Sequence, residues 1–238
     1  MESETEVELI PPTARRVAQR ALVLASVVCR GSIEQDAGND EADKFRFEVL
    51  DWVKTCGADC ELESSEREIL MTPLGELSPE RHAGATWRAE GLVVLAWALY
   101  RTGLPQYYDF AQSKAVADKL GWLTNEGPDL VASAKLRPKS EIDSLSGRLF
   151  ALHWRLADYR LRHKPMNFKK FAQAAWFGPL NVEGLNFVDD DLDLGNRPIH
   201  SISEQDFAVQ LRLTEERRRA VEWLVGNDEV YSNVDLST

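Results

Sequence analysis

The segment from residue 78 to residue 105 constrains the fold more than any other part of the sequence. Ser78-Pro79-Glu80 is a strong helix start, with a hydroxyl N-cap, a proline at the first helical position and an acid in the first turn. The apolar residues that follow cover nearly the whole circumference of a helix: Trp87, Gly91, Leu92, Val93, Val94, Leu95, Trp97, Ala98 and Leu99. A helix that is apolar on all sides belongs in the middle of a bundle.

Helical spacing of apolar residues recurs along most of the chain. It predicts helices over residues 13–31, 45–57, 65–73, 140–165 and 168–177, a polar helix that ends at Gly121, and two later helices that begin at Ser203 and Thr214. Asn125-Glu-Gly-Pro128 is typical of a turn. Short apolar runs between residues 180 and 200 favour a small β-hairpin. We therefore predict a mainly α fold, a single-domain helical bundle with a small β-hairpin near residues 180–200.

The first twelve residues differ in composition from the rest of the chain. Met1-Glu-Ser-Glu-Thr-Glu-Val-Glu is acidic, and it carries neither a basic n-region nor an apolar h-region. We expect residues 1–12 to form an acidic tail without fixed structure and residues 13–238 to form one helical domain. No run approaches the roughly 18 apolar residues of a membrane span, so we expect a cytoplasmic protein that does not bind membranes.

The charge of the chain limits its partners. A formal net charge of -11 and a pI near 4.9 argue against binding to nucleic acid, because neutralising phosphates requires clustered Lys and Arg. An acidic surface suits another protein as partner, for instance a basic one. The sequence does not indicate the oligomeric state.

Cysteines and acidic clusters do not predict a metal or a cofactor. Cys29, Cys56 and Cys60 are too few for a disulfide framework, and ordinary free thiols are the expected state. Asp189-Asp-Asp-Leu-Asp193 has the alternation of a calcium loop, but Leu194 replaces the required glycine and His200 replaces the bidentate glutamate. We interpret this run as a solvated turn.

Glu90 is the first candidate for a functional site. It lies three residues after Trp87 and four before Val94, so helical geometry places its carboxylate on a buried face. A carboxylate there must find a cation or become protonated, and Arg217 and Arg155 are the candidate partners. The pair could be a structural ion pair that fixes helix register, or Glu90 could be a general acid or base in a cleft.

Two histidines also have a functional and a structural interpretation. His82 and His153 could assist such a site, but a lone histidine near a tryptophan is more often a hydrogen-bonded core residue. Motifs for a nucleophile elbow, a phosphate-binding loop and a zinc protease are all missing from the sequence.

The sequence resembles a largely bacterial family known as domain of unknown function 4272. The resemblance extends over residues 13–238, and the order and spacing of its short motifs make it specific. They are Arg15-Arg-Val-Ala, Trp87-Arg-x-Glu90-Gly, Leu95-x-Trp97-Ala-Leu, Glu141-Ile142, Glu216-Arg217 with Ala220, and Trp223-Leu. This chain has Arg218 and Glu222 where the family often has His and Asn. The resemblance implies no established activity and no catalytic residues.

Two functions remain open from the sequence. The first is a non-enzymatic module for protein binding or regulation. The alternative is a hydrolase-like enzyme whose acid/base site is built around Glu90 and nearby Arg or His residues in a helical cleft. A pocket lined by Glu90, Arg155 or Arg217 would favour the enzyme, whereas an exposed acidic or apolar patch would favour binding.

Overall fold

The computed structural model describes residues 10–36, 38 and 40–237, and this part of the chain is mainly helical. Nine α-helices are found there: α1 Ala14–Ser32, α2 Asp40–Thr55, α3 Ser64–Met71, α4 Pro79–Ala98, α5 Ser113–Lys119, α6 Glu126–Ser133, α7 Lys139–Arg162, α8 Phe168–Gln173 and α9 Glu204–Val225. Two short strands, β1 Phe187–Val188 and β2 Asp191–Leu192, lie between α8 and α9. The mainly α fold with a small hairpin is confirmed.

Helix α4 lies in the middle of the bundle, as its apolar circumference predicts. It packs against α1 on one side and α9 on the other, and α7 packs against α9. Its residues 89–96 are all buried. Close packing with α1 depends on Gly31, because a Cβ at this position would come within 3.0 Å of the Ala85 Cβ. Position 31 therefore leaves little room for a side chain between α1 and α4.

Capping residues form the predicted ends of three helices. Thr13, Ser78 and Ser203 each accept a hydrogen bond from the backbone N–H three residues later, which caps α1, α4 and α9. Helix α9 ends at Gly226, whose φ of 95° is in the left-handed region. These caps fix the register of the helices that bear the candidate residues.

Two local predictions are wrong. The predicted turn at 125–128 is the first turn of α6, because proline is tolerated where helical N–H groups are unpaired. The two predicted C-terminal helices form one continuous helix, α9, since Thr214 donates to the Gln210 carbonyl within the helix instead of starting a new one.

The hairpin occupies only part of its predicted region. Phe187 pairs with Leu192 and Val188 with Asp191 in an antiparallel ladder. The turn between the strands is made by Asp189 and Asp190, with φ values of 52° and 63°. Asp tolerates this left-handed conformation better than most residues, so a two-residue turn forms here.

The ends of the chain are described in part. Residues 1–9 lie outside the described residues, so the expected acidic tail over 1–12 stays a prediction, as does the single domain over 13–238. Pro12 is already buried. Within the described residues, none of the helices combines the length and the apolar character needed to cross a membrane.

Candidate functional site

Glu90 and Arg217 form a buried ion pair between α4 and α9. The Arg217 Nε and Nη2 donate to Glu90 Oε2 at 2.9 and 2.7 Å. The two residues are only 2% and 3% exposed. The burial of Glu90 and the choice of Arg217 as its first partner are therefore confirmed by the geometry.

The same pair holds the segment that joins α4 to α5. Arg217 also donates to the backbone carbonyls of Gln106, at 3.0 Å, and Asp109. The Ala111 N–H donates to Glu90 Oε1 at 3.0 Å. Both carboxylate oxygens thus accept hydrogen bonds. Burial lowers the pKa of Arg217 while Glu90 opposes that shift, and a fully engaged buried pair is typical of a structural role.

Arg155 has different partners. Its Nε and Nη2 donate to the two oxygens of Asp191 at 2.7 and 2.6 Å, and its Nη1 donates to Asp158 at 3.1 Å. Arg155 is completely buried, and its fork joins α7 to the second strand of the hairpin. The three candidates Glu90, Arg217 and Arg155 therefore do not form one ion-pair site.

The prediction of a solvated turn at the acidic run is wrong for two of its carboxylates. Asp191 and Asp193 are buried, with 1% and 6% exposure, whereas Asp189 and Asp190 are exposed. Asp193 accepts the Arg197 N–H at 3.1 Å. No cluster of three potential metal ligands occurs among the described residues. The carboxylates of Asp191 and Asp193 therefore form hydrogen bonds within the fold.

His153 lies in a cationic environment that the sequence did not reveal. Its Nδ1 is 2.6 Å from Arg218 Nη1, and since arginine only donates, the Nδ1 accepts. Burial, with the nearby Arg218 and Arg160, lowers the pKa of His153 to about 4. His82 is partly exposed. His153 is therefore a neutral core residue, as the sequence reading favoured.

The free energy of unfolding is expected to depend on the protonation of His153. Between pH 6.5 and about 4, the unfolded chain binds a proton at this position and the folded protein does not. Stability from this group is therefore complete above pH 6.5 and is lost as the pH falls toward 4. Urea denaturation should show a smaller loss over this range for His153→Asn, whose Oδ1 keeps an acceptor for Arg218 but does not titrate. Equal losses in both proteins would contradict this assignment.

The cysteines are free thiols, as predicted. Burial raises the pKa of both Cys29 and Cys56 to about 11. Because the thiolate is the reactive form, these two thiols are poor nucleophiles at neutral pH. Cys56 is a small buried side chain and Cys29 is partly buried.

An aromatic surface, in which Trp176 and Phe177 are the exposed residues, forms where α7, α8 and the segment after α8 meet. We call it the aromatic patch, and it consists of Phe150, Trp154, Phe171, Trp176 and Phe177. Trp154 and Phe171 stack with ring centroids 4.5 Å apart, and Phe177 lies within 6.4 Å of both rings and of Phe150. Trp176 contacts Phe177 edge-on and is 89% exposed. A large ring held on an aromatic base and open to solvent is unusual for a core-forming residue.

The patch lies in a stretch of unusual charge. Residues 159–182 contain no Asp or Glu, although the whole chain carries a net charge of -11. The basic residues of this stretch are Arg160, Arg162, Lys164, Lys169 and Lys170. Lys169 and Lys170 are exposed on α8 immediately before Phe171, while Phe168 and Ala172 face the core. This surface was not predicted from the sequence. The feature that could have indicated it is the stretch 159–182, which lacks acidic residues and contains Trp176-Phe177.

The family model described as Domain of unknown function (DUF4272) matches residues 1–170 of the chain. This match is shorter than the 13–238 range suggested by the motifs, and it includes Glu90 and Arg155 but not Arg217. No curated protein and no solved structure matches the chain.

Proposed function

We propose that this chain, which belongs to the domain of unknown function family DUF4272, is a protein-binding module whose contact surface is the aromatic patch. The observation that carries the proposal is the 89% exposure of Trp176 on a base of packed aromatic rings. Tryptophan is among the residues that most often dominate binding energy at interfaces. The proposal keeps the cytoplasmic location expected from the sequence.

The packing beneath Trp176 supports a preformed contact surface. Phe177 contacts Phe150 and Phe171 as well as Trp176, so the rings below Trp176 are fixed before a partner arrives. These packed rings lose little side-chain entropy when a partner binds, because their conformations are already restricted. A partner that covers the Trp176 ring would gain apolar burial on the order of 25 cal/mol per Å² of area removed from water.

The charges near the patch define the chemistry of the partner. Lys169 and Lys170 are exposed and form no salt bridge with described residues. Opposite charges on a partner steer association and fix its orientation. We therefore propose a partner segment that combines acidic and apolar side chains. A basic partner, expected from the net charge, would suit the acidic remainder of the surface instead.

The geometry gives less support to the alternative, an acid/base enzyme at Glu90. A general base must reach a substrate proton within hydrogen-bond distance. Both Glu90 oxygens are occupied by Arg217 and the Ala111 N–H, and the residue is 2% exposed. Arg217 does border a cavity, but its guanidinium is already bonded to Glu90 and two carbonyls. A structural pair explains these contacts without a reaction.

Photocrosslinking at position 176 tests the proposed surface. A photoreactive phenylalanine analogue would replace Trp176 in cells that produce the protein, with a second variant carrying it at exposed Tyr100 as the matched control. We expect one discrete protein adduct at position 176 and none at position 100. We also expect charge reversal of Lys169 and Lys170 to Glu to reduce the adduct at least fivefold, because it removes the complementary charge.

Three results would contradict the proposal. Equal adducts at positions 176 and 100 would show that the patch has no selectivity. An adduct unaffected by the Lys→Glu changes would contradict an acidic partner. A nucleic-acid adduct would contradict both the proposal and the expectation that this acidic chain does not bind nucleic acid.

A further inference from the structure

A cavity of about 200 Å³ lies where α4, α7 and α9 meet the segment before α5. Its apolar wall consists of Val94, Leu104, Leu145 and Leu149, and Arg148 and Arg217 contribute the cationic groups. A second, outer cavity of about 390 Å³ shares Leu145, Arg148 and Gly184 with it. Arg148 therefore borders both the inner cavity and the more open outer one.

Arg148 differs from the other arginines of this interior. Arg20, Arg30, Arg155 and Arg217 each donate to a buried carboxylate. Among the described arginines that are not exposed, Arg148 is the one that forms neither a hydrogen bond nor a salt bridge. Its nearest acidic influence is Glu183, which is exposed and interacts with it through charge without a hydrogen bond, and Glu141 lines the same outer cavity. Arg148 is partly buried and its guanidinium has no acceptor among the described residues, so it is free to bind an anion.

The surroundings of Arg148 keep it at the cavity. Gly184 lies against the guanidinium, because a Cβ at position 184 would come within 2.9 Å of Arg148 Nη1. Gly184 has a φ of 77°, a conformation that disfavours other residues. The backbone at position 184 therefore leaves room for the Arg148 fork while limiting its movement.

We propose that the cavity at Arg148 binds a small organic carboxylate with an apolar body. The planar guanidinium presents parallel N–H groups that match the two oxygens of a carboxylate. The apolar wall would then bury the rest of the ligand, and 200 Å³ corresponds to the liquid volume of roughly seven water molecules. A phosphate group fits less well, since it has no apolar body to contact Val94, Leu104 and Leu149, and Arg217 is already paired with Glu90.

Calorimetric titration of the full chain with hexanoate tests the proposal. We expect saturable binding at one site, with hexan-1-ol, which lacks the carboxylate, binding at least tenfold more weakly. Arg148→Met keeps the aliphatic stem and should weaken hexanoate binding at least tenfold. Arg148→Lys keeps the charge without the fork and should give an intermediate affinity. Arg101→Met is the matched control, because Arg101 is exposed and does not border either cavity.

Thermal unfolding without ligand separates loss of binding from loss of folding. Arg148→Met should unfold at the wild-type temperature or above it, since it removes an unpaired cation. The proposal is overturned if hexanoate shows no saturable binding, if Arg148→Met binds it as tightly as wild type, or if inorganic phosphate displaces it. Trp176→Ser should leave hexanoate binding unchanged, so this inference and the proposed protein-binding function succeed or fail separately.

Discussion

Replacing Glu90 by Gln is expected to lower the free energy of unfolding by about 3 to 5 kcal/mol, the usual cost of breaking a buried ion pair. Gln keeps the shape of the side chain but leaves the Arg217 guanidinium buried without its counter-charge. The two hydrogen bonds from Arg217 to backbone carbonyls, and the hydrogen bond from the Ala111 N–H to Glu90, depend on the positions of the same two side chains. Urea denaturation followed by circular dichroism measures the effect.

A double-mutant cycle with Arg217→Met isolates the pair. The double mutant should lose less stability than the sum of the two single mutants, because each single change already removes the interaction. Lys139→Met is the control, since its salt bridge to Asp143 joins exposed side chains and is expected to contribute roughly 0 to 1 kcal/mol.

Two results would change the assignment of Glu90. Losses below about 0.5 kcal/mol in both single mutants and the double mutant would mean that the pair contributes nothing to folding. Unchanged or higher stability of Glu90→Gln, with loss of a measured activity, would instead support the acid/base alternative.

The second large effect is expected at Arg155. Arg155→Met should cost about 3 to 5 kcal/mol, because it leaves two buried carboxylates, Asp191 and Asp158, without their shared cation. The Met166 N–H also donates to Asp191, so the contacts that join α7, the segment before α8 and the hairpin should loosen together. Chemical denaturation measures the loss of stability, and hydrogen exchange of the Leu192 amide reports on the hairpin.

Arg162→Met provides the matched control for Arg155. Arg162 contacts the same Asp158 at 3.1 Å, but its side chain is 69% exposed, so its removal should cost roughly 0 to 1 kcal/mol. If Arg155→Met costs no more than Arg162→Met, the fork to Asp191 does not stabilise the fold.

The features of the candidate site that could be predicted from the sequence are those that depend on the helical periodicity of the side chains. The spacing of Trp87, Glu90 and Val94 placed the carboxylate on a buried face, and the structure confirms its burial. Arg217 could be favoured because it lies on the apolar face of its own helix. A period of 3.6 residues acts within one helix, so it fixes which side chains point inward and not which helices meet.

The features that were not predicted depend on contacts between segments that are far apart in the sequence. Arg155 and Asp191 are separated by 36 residues, and no local pattern indicates that a strand of the hairpin meets α7. The exposure of Trp176 is a similar case, because an aromatic residue after a helix is more often part of a core. Only the packed arrangement shows that Phe177 and Phe171 lie beneath it.

The hydrogen bonds that hold the segment between α4 and α5 should limit its motion. This segment contains neither helix nor strand, and irregular segments of this kind ordinarily rearrange within nanoseconds to microseconds. Here Arg217 and Glu90 hold it at Gln106, Asp109 and Ala111, so moving it requires breaking three hydrogen bonds to buried charged side chains. The inner cavity wall should therefore open rarely and as a unit, and molecules should exchange through the outer side at Gly184.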